Sequence, residues 1–440
     1  MNLALAKTET GRAVSETFAV ARSRLPGAGK VADARQKAFE AYERTGLPNR
    51  RIEDWKYTDL RVLMREVLPL ASAPDQAALT TAAKALKTVA VNGAYQLVLV
   101  DGAFAPELSD AAQPEKGLRV RSLRETLDAG TDQSADLLAT AAATDVMVSL
   151  NAAMATDGVV ITVGEGVSLS KPVHIVHIAT ASSASVFTRS RLEAGKGARA
   201  TLIESFVAGS GATSYQVNDA LIVALGDETD FAHIRLMADA ADAANISSGL
   251  VTVSAKSKVN FFGLTNGGRV SRYQGFVTLE GEGSDLSING VNLLKDAQHG
   301  DTTLVVDHAV PNCTSREVFR AVVDDRAHSV FQGKIIVRPD AQKTDGKMMT
   351  RALLLSDEAE ADNKPELEIF ADDVTCGHGA TVGALDESLL FYLRARGLSE
   401  KEAQALLIQA FVGEAIESIA DDGLRDVVVT AAERWLAERD

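Results

Sequence analysis

The spacing of hydrophobic positions changes character twice along this chain. Between residues 31 and 45, VADARQKAFEAYERT places Val31, Ala34, Ala38, Ala41 and Tyr42 on one side at helical spacing, and Gly46 follows as a stop. The next segment, GLPNRRIEDWKYTDL, reads as a loop whose Trp55, Tyr57 and Leu60 can anchor it to neighbouring structure. QLVLV at 96–100 reads as a buried strand, and 120–157 as helical with a turn or two. From about residue 158 the pattern shortens to β-prone runs: VVITV, ATLIESFVA, DALIVAL, GLVTVSA, VNFFGLTN, GFVTLEG and LVVDHAV. Helical spacing returns after Gly383. Ser399-Glu400-Lys401-Glu402 is a capping box, and the helix it opens carries Leu406, Ile408, Phe411, Val412, Ala415, Ile416 and Ile419 on a wide apolar face. A last helix, LRDVVVTAAERWLAE, follows Gly423. The expected domains are therefore 1–157, mainly helical; 158–384, mainly β; and 385–440, helical.

Between the β runs the turns recur. Gly164-Glu165-Gly166, Gly195-Lys196-Gly197, Gly226-Asp227-Glu228, Ala255-Lys256-Ser257 and Gly281-Glu282-Gly283 are spaced by 31, 31, 29 and 26 residues. A nearly constant period of this length, with almost no helical spacing inside it, predicts a β-helix or β-solenoid, in which each unit buries its face against its neighbours. A sandwich does not keep so long and regular a period. The C-terminal helices are apolar enough to cap the end of such a stack or to receive another protein.

Composition narrows the function. With 440 residues, 46% hydrophobic and 24% charged, the chain is long enough for a sizeable core. A net charge of −15 argues against nucleic acid as the main partner, because phosphate binding needs a basic surface. The opening MNLALAKTETGRAVSETF has no apolar stretch of signal-peptide length, and no run reaches the roughly 18 apolar residues of a membrane span. Two cysteines, Cys313 and Cys376, are few for a secreted chain, so the expectation is a cytoplasmic protein with reduced thiols and no membrane association.

Several chemistries are missing. RLPGAGKV at 24–31 imitates a phosphate-binding loop but lacks its first glycine and its Ser/Thr, so the chain is not expected to bind or hydrolyse nucleotide. There is no GxGxxG after a strand, no GxSxG, no HExxH and no CxxC. His174 and His177 lie three apart, on opposite faces of a strand, which disfavours a shared metal site; His233 reads as a satisfied strand histidine. His308 and Cys313 flank a short turn, a weak pairing. Cys376 and His378, in ADDVTCGHGATVG, are i and i+2 on a strand and share a side. Three readings stay open for them: a buried thiol beside a turn histidine, half of a soft-metal site completed by a second chain or by Cys313, or a histidine-activated nucleophile.

The stretch VFQGKIIVRPDAQKTDGKMMTRALLLSDEAEADNKPELEIFADDVTCGHGATVGALDESLLFYLRARGLSEKEAQALLIQAF resembles the signature region of the SufB/SufD family of iron–sulfur cluster assembly proteins. The resemblance rests on Ala341-Gln342-Lys343-Thr344-Asp345, on Lys364-Pro365-Glu366-Leu367-Glu368-Ile369, on Cys376-Gly377-His378-Gly379-Ala380-Thr381 and on Phe391-Tyr392-Leu393-Arg394-Ala395-Arg396-Gly397. EDWKYTDL at 53–60 is similar to the entry segment of the family's D branch, and CGHGAT also favours D over B. The resemblance implies a right-handed parallel β-helix flanked by helical domains and a scaffold rather than an enzyme. It further implies pairing with a SufB-like subunit through the β-helix, or of two copies of this chain. A SufC-like ATPase is implied on the C-terminal helices, whose candidate contacts are Phe391, Tyr392, Phe411, Val412 and Ile416. A nascent Fe–S cluster would be held transiently by His378, with Cys376 as a second candidate and Cys313 as a lesser one. Two other classes compete: a polysaccharide-acting β-helix enzyme, which needs a carboxylate cluster in a groove and is generally exported, and an inert interaction module with a structural Cys/His pair.

Overall fold

Ten-residue strands recur because one corner conformation recurs. Residues 166, 197, 228, 256, 283, 312 and 343 all take positive φ, between 57° and 74°. Glycine fills this left-handed corner at 166, 197 and 283, while Glu228, Lys256, Asn312 and Lys343 fill it elsewhere at a conformational cost. The five turns expected from the sequence are the first five of these corners, and the series continues beyond them.

The computed structural model describes residues 9–64, 66–110, 114–131, 133–139 and 145–438. The first residues of the chain, read above for a leader, and part of the 120–157 helical reading lie outside them. From Val159–Val163 onward successive strands fall alternately into two sheets, which hold ten and nine strands among the described residues, and neighbours within each sheet are parallel from Val173 to Gly383. Each turn of the chain adds one strand to each sheet. The register advances by as few as 26 residues, from Ala244 to Val270, and as many as 32, from His328 to Glu360. This is the expected β-solenoid. The sheets begin before residue 158: Tyr95–Val100, the strand read from QLVLV, pairs with Val173–Ala179, and Leu118–Ser122 pairs with Val159–Val163.

The core lies between the sheets. Leu202, Phe261, Ile288 and Met348 from one sheet meet Leu221, Val223, Val251, Val277, Leu304, Val306 and Ile335 from the other. The outer faces are covered by helices. Phe18, Phe39, Tyr42, Trp55, Leu60 and Leu150 pack over Phe187, Ile246 and Val270. The anchoring loop behaves as its residues suggest: the Trp55 indole donates to Asp145 at 3.0 Å, the Arg272 guanidinium lies 3.8 Å over its ring, and Thr58 bonds His299 at 2.8 Å. The helix predicted at 31–45 spans Lys30–Thr45.

At the other end of the chain, helices Glu400–Ile416 and Asp422–Ala437 lie along the outer face of the ten-stranded sheet, on Ile203, Ile234, Phe262, Leu264, Val291 and Leu353. The capping box forms: Glu402 N–H donates to Ser399 Oγ, and the Ser399 amide donates to Glu402 at 2.8 Å. This placement corrects two expectations. The helices cover a flank of the solenoid rather than its end. Val412 and Ile416 are buried against the chain's own sheet and Phe411 is half-buried under Arg320, whereas Leu406 faces outward. A surface that receives a second protein cannot be built from side chains already spent on the first, and burying each aliphatic group here contributes about 1.5–3 kcal/mol to this fold.

Candidate functional site

Cys376 and His378 sit on Thr375–Gly383, the last strand of the ten-stranded sheet. Register fixes where they face. Phe231, Val259, Leu286, Ser315, Gly346 and Cys376 form one inward-facing column, and Leu202, His233, Phe261, Ile288, Glu317, Met348 and His378 form the next. Both residues therefore face the inter-sheet space on the final rung, two residues apart and separated by roughly 7 Å of strand. Cys376 is half-buried against the core, and His378 is exposed because no rung lies beyond it.

That last rung is open. Among the described residues, Thr375–Gly383 pairs only with Asp345–Leu354, and Glu360–Ile369 in the facing sheet pairs only with His328–Val337. The following helix, Glu387–Ala395, buries none of its residues. Ile369, Phe370, Val382, Leu389, Phe391 and Tyr392 are all exposed, Phe370 to 62% and Phe391 to 75%. Two unpaired strand edges carrying exposed Ile369, Phe370 and Val382 are features that favour pairing with another chain.

The electrostatics at the rung keep the thiol protonated. Burial pushes the Cys376 thiol up; the Gly346 backbone opposes this, while the negative charge of Asp345 adds to it. Glu317, two rungs behind His378 in its column, is fully buried with neither carboxyl oxygen hydrogen-bonded, and burial raises it to about 8. Among the described residues no third histidine, cysteine or carboxylate converges with Cys376 and His378. The pair alone does not make a closed ligand set.

The other candidates disperse. Cys313 lies in the turn before Thr314–Val323, two rungs from Cys376, fully buried with its thiol near the Gly281 and Pro311 carbonyls; both cysteines are free. His308 bonds Ser315 at 3.0 Å and does not pair with Cys313. His174 bonds Ser205 at 2.8 Å, while His177 turns inward toward Glu204, so the two do occupy opposite faces. His233 lies 3.1 Å from Glu204, a satisfied core histidine as expected. Sequence reasoning missed Glu317 and the open edge. The run EIFADDV, ending a strand in Phe370, was the available hint of an exposed apolar rim.

Taken together, these features define a two-sheet β-solenoid that carries a thiol and an imidazole at an unfinished end. The chain belongs to the SufBD family of SUF-system iron–sulfur cluster assembly proteins: the SufBD core domain matches residues 177–411 and the SufBD N-terminal region matches 26–175. It is 32% identical over 399 residues to the iron–sulfur cluster assembly protein SufD of Escherichia coli K12, covering 90% of each chain. It is 29% identical to a SufBD family protein of Synechocystis, over 88% of this chain and 87% of that one. A chloroplastic protein of Arabidopsis thaliana, ABCI7, is 25% identical over 89% of this chain and 83% of its own. No described helix is long and apolar enough to cross a membrane.

Proposed function

We propose that this chain is the D-type scaffold subunit of a SUF assembly complex, joined through its open solenoid end to a SufB-like subunit and serving a SufC-like ATPase. The observation that carries this reading is the exposed His378 on an unpaired terminal strand, beside half-buried Cys376 and within an apolar rim. A partner that continues the sheets would complete the ligand set across the joint. Thiolate and imidazole are suitable ligands for a nascent Fe–S cluster, the cargo. An incomplete set, with a thiol that burial keeps protonated until metal displaces the proton, can also surrender the cluster when the joint is disturbed. The similarity to a SufD at 32% identity supports the branch assignment.

The ATPase contact is reassigned within the C-terminal region. With Val412 and Ile416 buried, the exposed Leu389, Phe391, Tyr392 and Leu406 are the apolar groups left to receive it. Hydrolysis belongs to that partner, and this chain is non-catalytic. The setting is cytoplasmic.

The test is anaerobic iron–sulfur reconstitution of the three-subunit complex with wild-type chain or His378→Ala. The variant should assemble with its partners and form cluster at least tenfold less well. An equal cluster yield in an intact His378→Ala complex would refute the assignment.

A further inference from the structure

Between the sheets near the other end of the solenoid, three ligating side chains face one another. His177 on Val173–Ala179 and Glu204 on Arg199–Ala208 come from neighbouring strands of the ten-stranded sheet; Asp219 on Gln216–Leu225 comes from the sheet opposite. One nitrogen or oxygen from each lies within 4.8 Å of the others. All three residues are buried, at 7%, 0% and 1% exposure. Each has one such atom that makes no hydrogen bond: His177 Nε2, Glu204 Oε1 and Asp219 Oδ2, the first two lying 3.5 Å apart in an ion-pair contact.

Their remaining contacts hold them in place. Glu204 Oε2 accepts from Arg235 Nη1 at 3.2 Å and lies 3.1 Å from His233 Nε2, and Asp219 Oδ1 accepts from Thr188 at 2.6 Å. The His177 ring stacks on Phe206 at 4.1 Å and 7°. Outer contacts of this kind orient metal ligands. A buried polar atom left unpaired is costly; Asp219 Oδ2 has no partner, and the His177–Glu204 contact at 3.5 Å is longer than an ordinary hydrogen bond, so all three atoms are open to an occupant set between them. Two carboxylates share this space with the guanidinium of Arg235, which bonds Glu204 through Nη1 and lies over the rings of Phe206 and Tyr273, 4.4 and 4.8 Å away, leaving its Nε and Nη2 without hydrogen bonds.

We propose that His177, Glu204 and Asp219 bind one divalent first-row transition-metal ion that ties the two sheets together. One imidazole and two carboxylates suit Mn(II), Fe(II) or Zn(II) and disfavour Cu(I). The site adjoins a small cavity lined by Leu99, His177, Thr188, Phe206 and Asp239, which gives a coordinated water somewhere to sit. Six strand spacings separate Glu204 from the strand of His378, roughly 29 Å at about 4.8 Å each, so this ion is a resident of the fold and not cluster cargo.

The test is metal analysis of the full chain, purified without chelator and again after stripping and incubation with Mn(II), Fe(II) or Zn(II). The expected result is about one ion per chain in the wild type and in the Cys376→Ser, His378→Ala double variant, which removes the thiol–imidazole pair at the open end. His177→Gln and Asp219→Asn should each retain less than a tenth of that. His233→Gln disturbs the same cluster without removing a ligand and should keep its ion. Restoring the metal should also raise the wild-type Tm by at least about 3 °C. Folded wild type holding under a tenth of an ion in every condition would overturn the proposal, as would full occupancy in a folded His177→Gln. Wild-type stoichiometry decides the matter even where a variant fails to fold. No readout depends on cluster assembly, so this proposal and the scaffold reading stand or fall separately.

Discussion

At its first end the ten-stranded sheet finishes with Ala103–Phe104, two residues long and antiparallel to its neighbour, and the nine-stranded sheet finishes with the antiparallel Leu118–Ser122. Helix Gln76–Val89 packs alongside, over Val98, Val100, Val176 and Ile178. At the last end the sheets stop on strands of ten and nine residues, parallel to their neighbours and unpaired outside, beside exposed Phe370 and Val382. Short, reversed strands are one way a sheet avoids unwanted pairing, and long unpaired ones invite it. Both ends belong to one continuous core, so the contrast does not come from a shortage of material. The first end closes on short reversed strands, whereas the last end, with His378 on it, leaves two long strand edges unpaired among the described residues.

The largest way to sharpen this contrast lies in Glu317, buried two rungs behind the open end. Its folded-state value of about 8 exceeds the ordinary 4.5, so the folded chain holds this proton more tightly than the unfolded one. Stability from this residue is therefore fully present below pH 4.5 and is lost as pH rises toward 8. Glu317→Gln, which cannot titrate, should match wild type near pH 4.5 and exceed it above pH 8 by at most about 5 kcal/mol in urea unfolding. A pH-independent difference would mean that the carboxyl is not held neutral.

Ile416→Ala comes next. It opens the flank packing and should cost about 2–4 kcal/mol, while leaving SufB-like association at the open end unchanged. A variant of normal stability that loses the partner would return Ile416 to the role of docking residue.

Phe370→Glu with Val382→Lys puts charge on the bare rim and should weaken association at least a hundredfold, about 2.7 kcal/mol, with no change in Tm. Val20→Lys with Val62→Lys, at more exposed positions of the N-terminal region, should leave association alone. Equal effects from both pairs would erase the distinction.

The smallest effect is expected of Cys313→Ala: about 1 kcal/mol of stability, with cluster yield unaltered, because its thiol sits in the core two rungs from the site. A large loss of cluster would make Cys313 a ligand source.

The fold was legible because its corner conformation prefers glycine, and enough glycines stand at 164–166, 195–197, 226 and 281–283 to expose the period. The placement of Cys376 and His378 on one side of a strand was legible through strand alternation. The polar interior was not. Glu204 in ATLIESF and Glu317 in SREVF look like solvent-facing positions of a one-sided strand, yet both face the space between the sheets. Nor does an apolar stripe say what it covers: the pattern of Ile408, Val412 and Ile416 is the same whether the helix meets its own sheet or a partner. The open edge is a property of the stack as a whole, fixed by which strand comes last, and no local window contains it.

The most direct test of the central claim is amide hydrogen exchange of the chain with and without its SufB-like partner. The account predicts new protection at Glu360–Ile369 and Thr375–Gly383, with none at Ala103–Phe104 or Leu118–Ser122. Protection at the first end, with Thr375–Gly383 still exchanging freely in the complex, would contradict it.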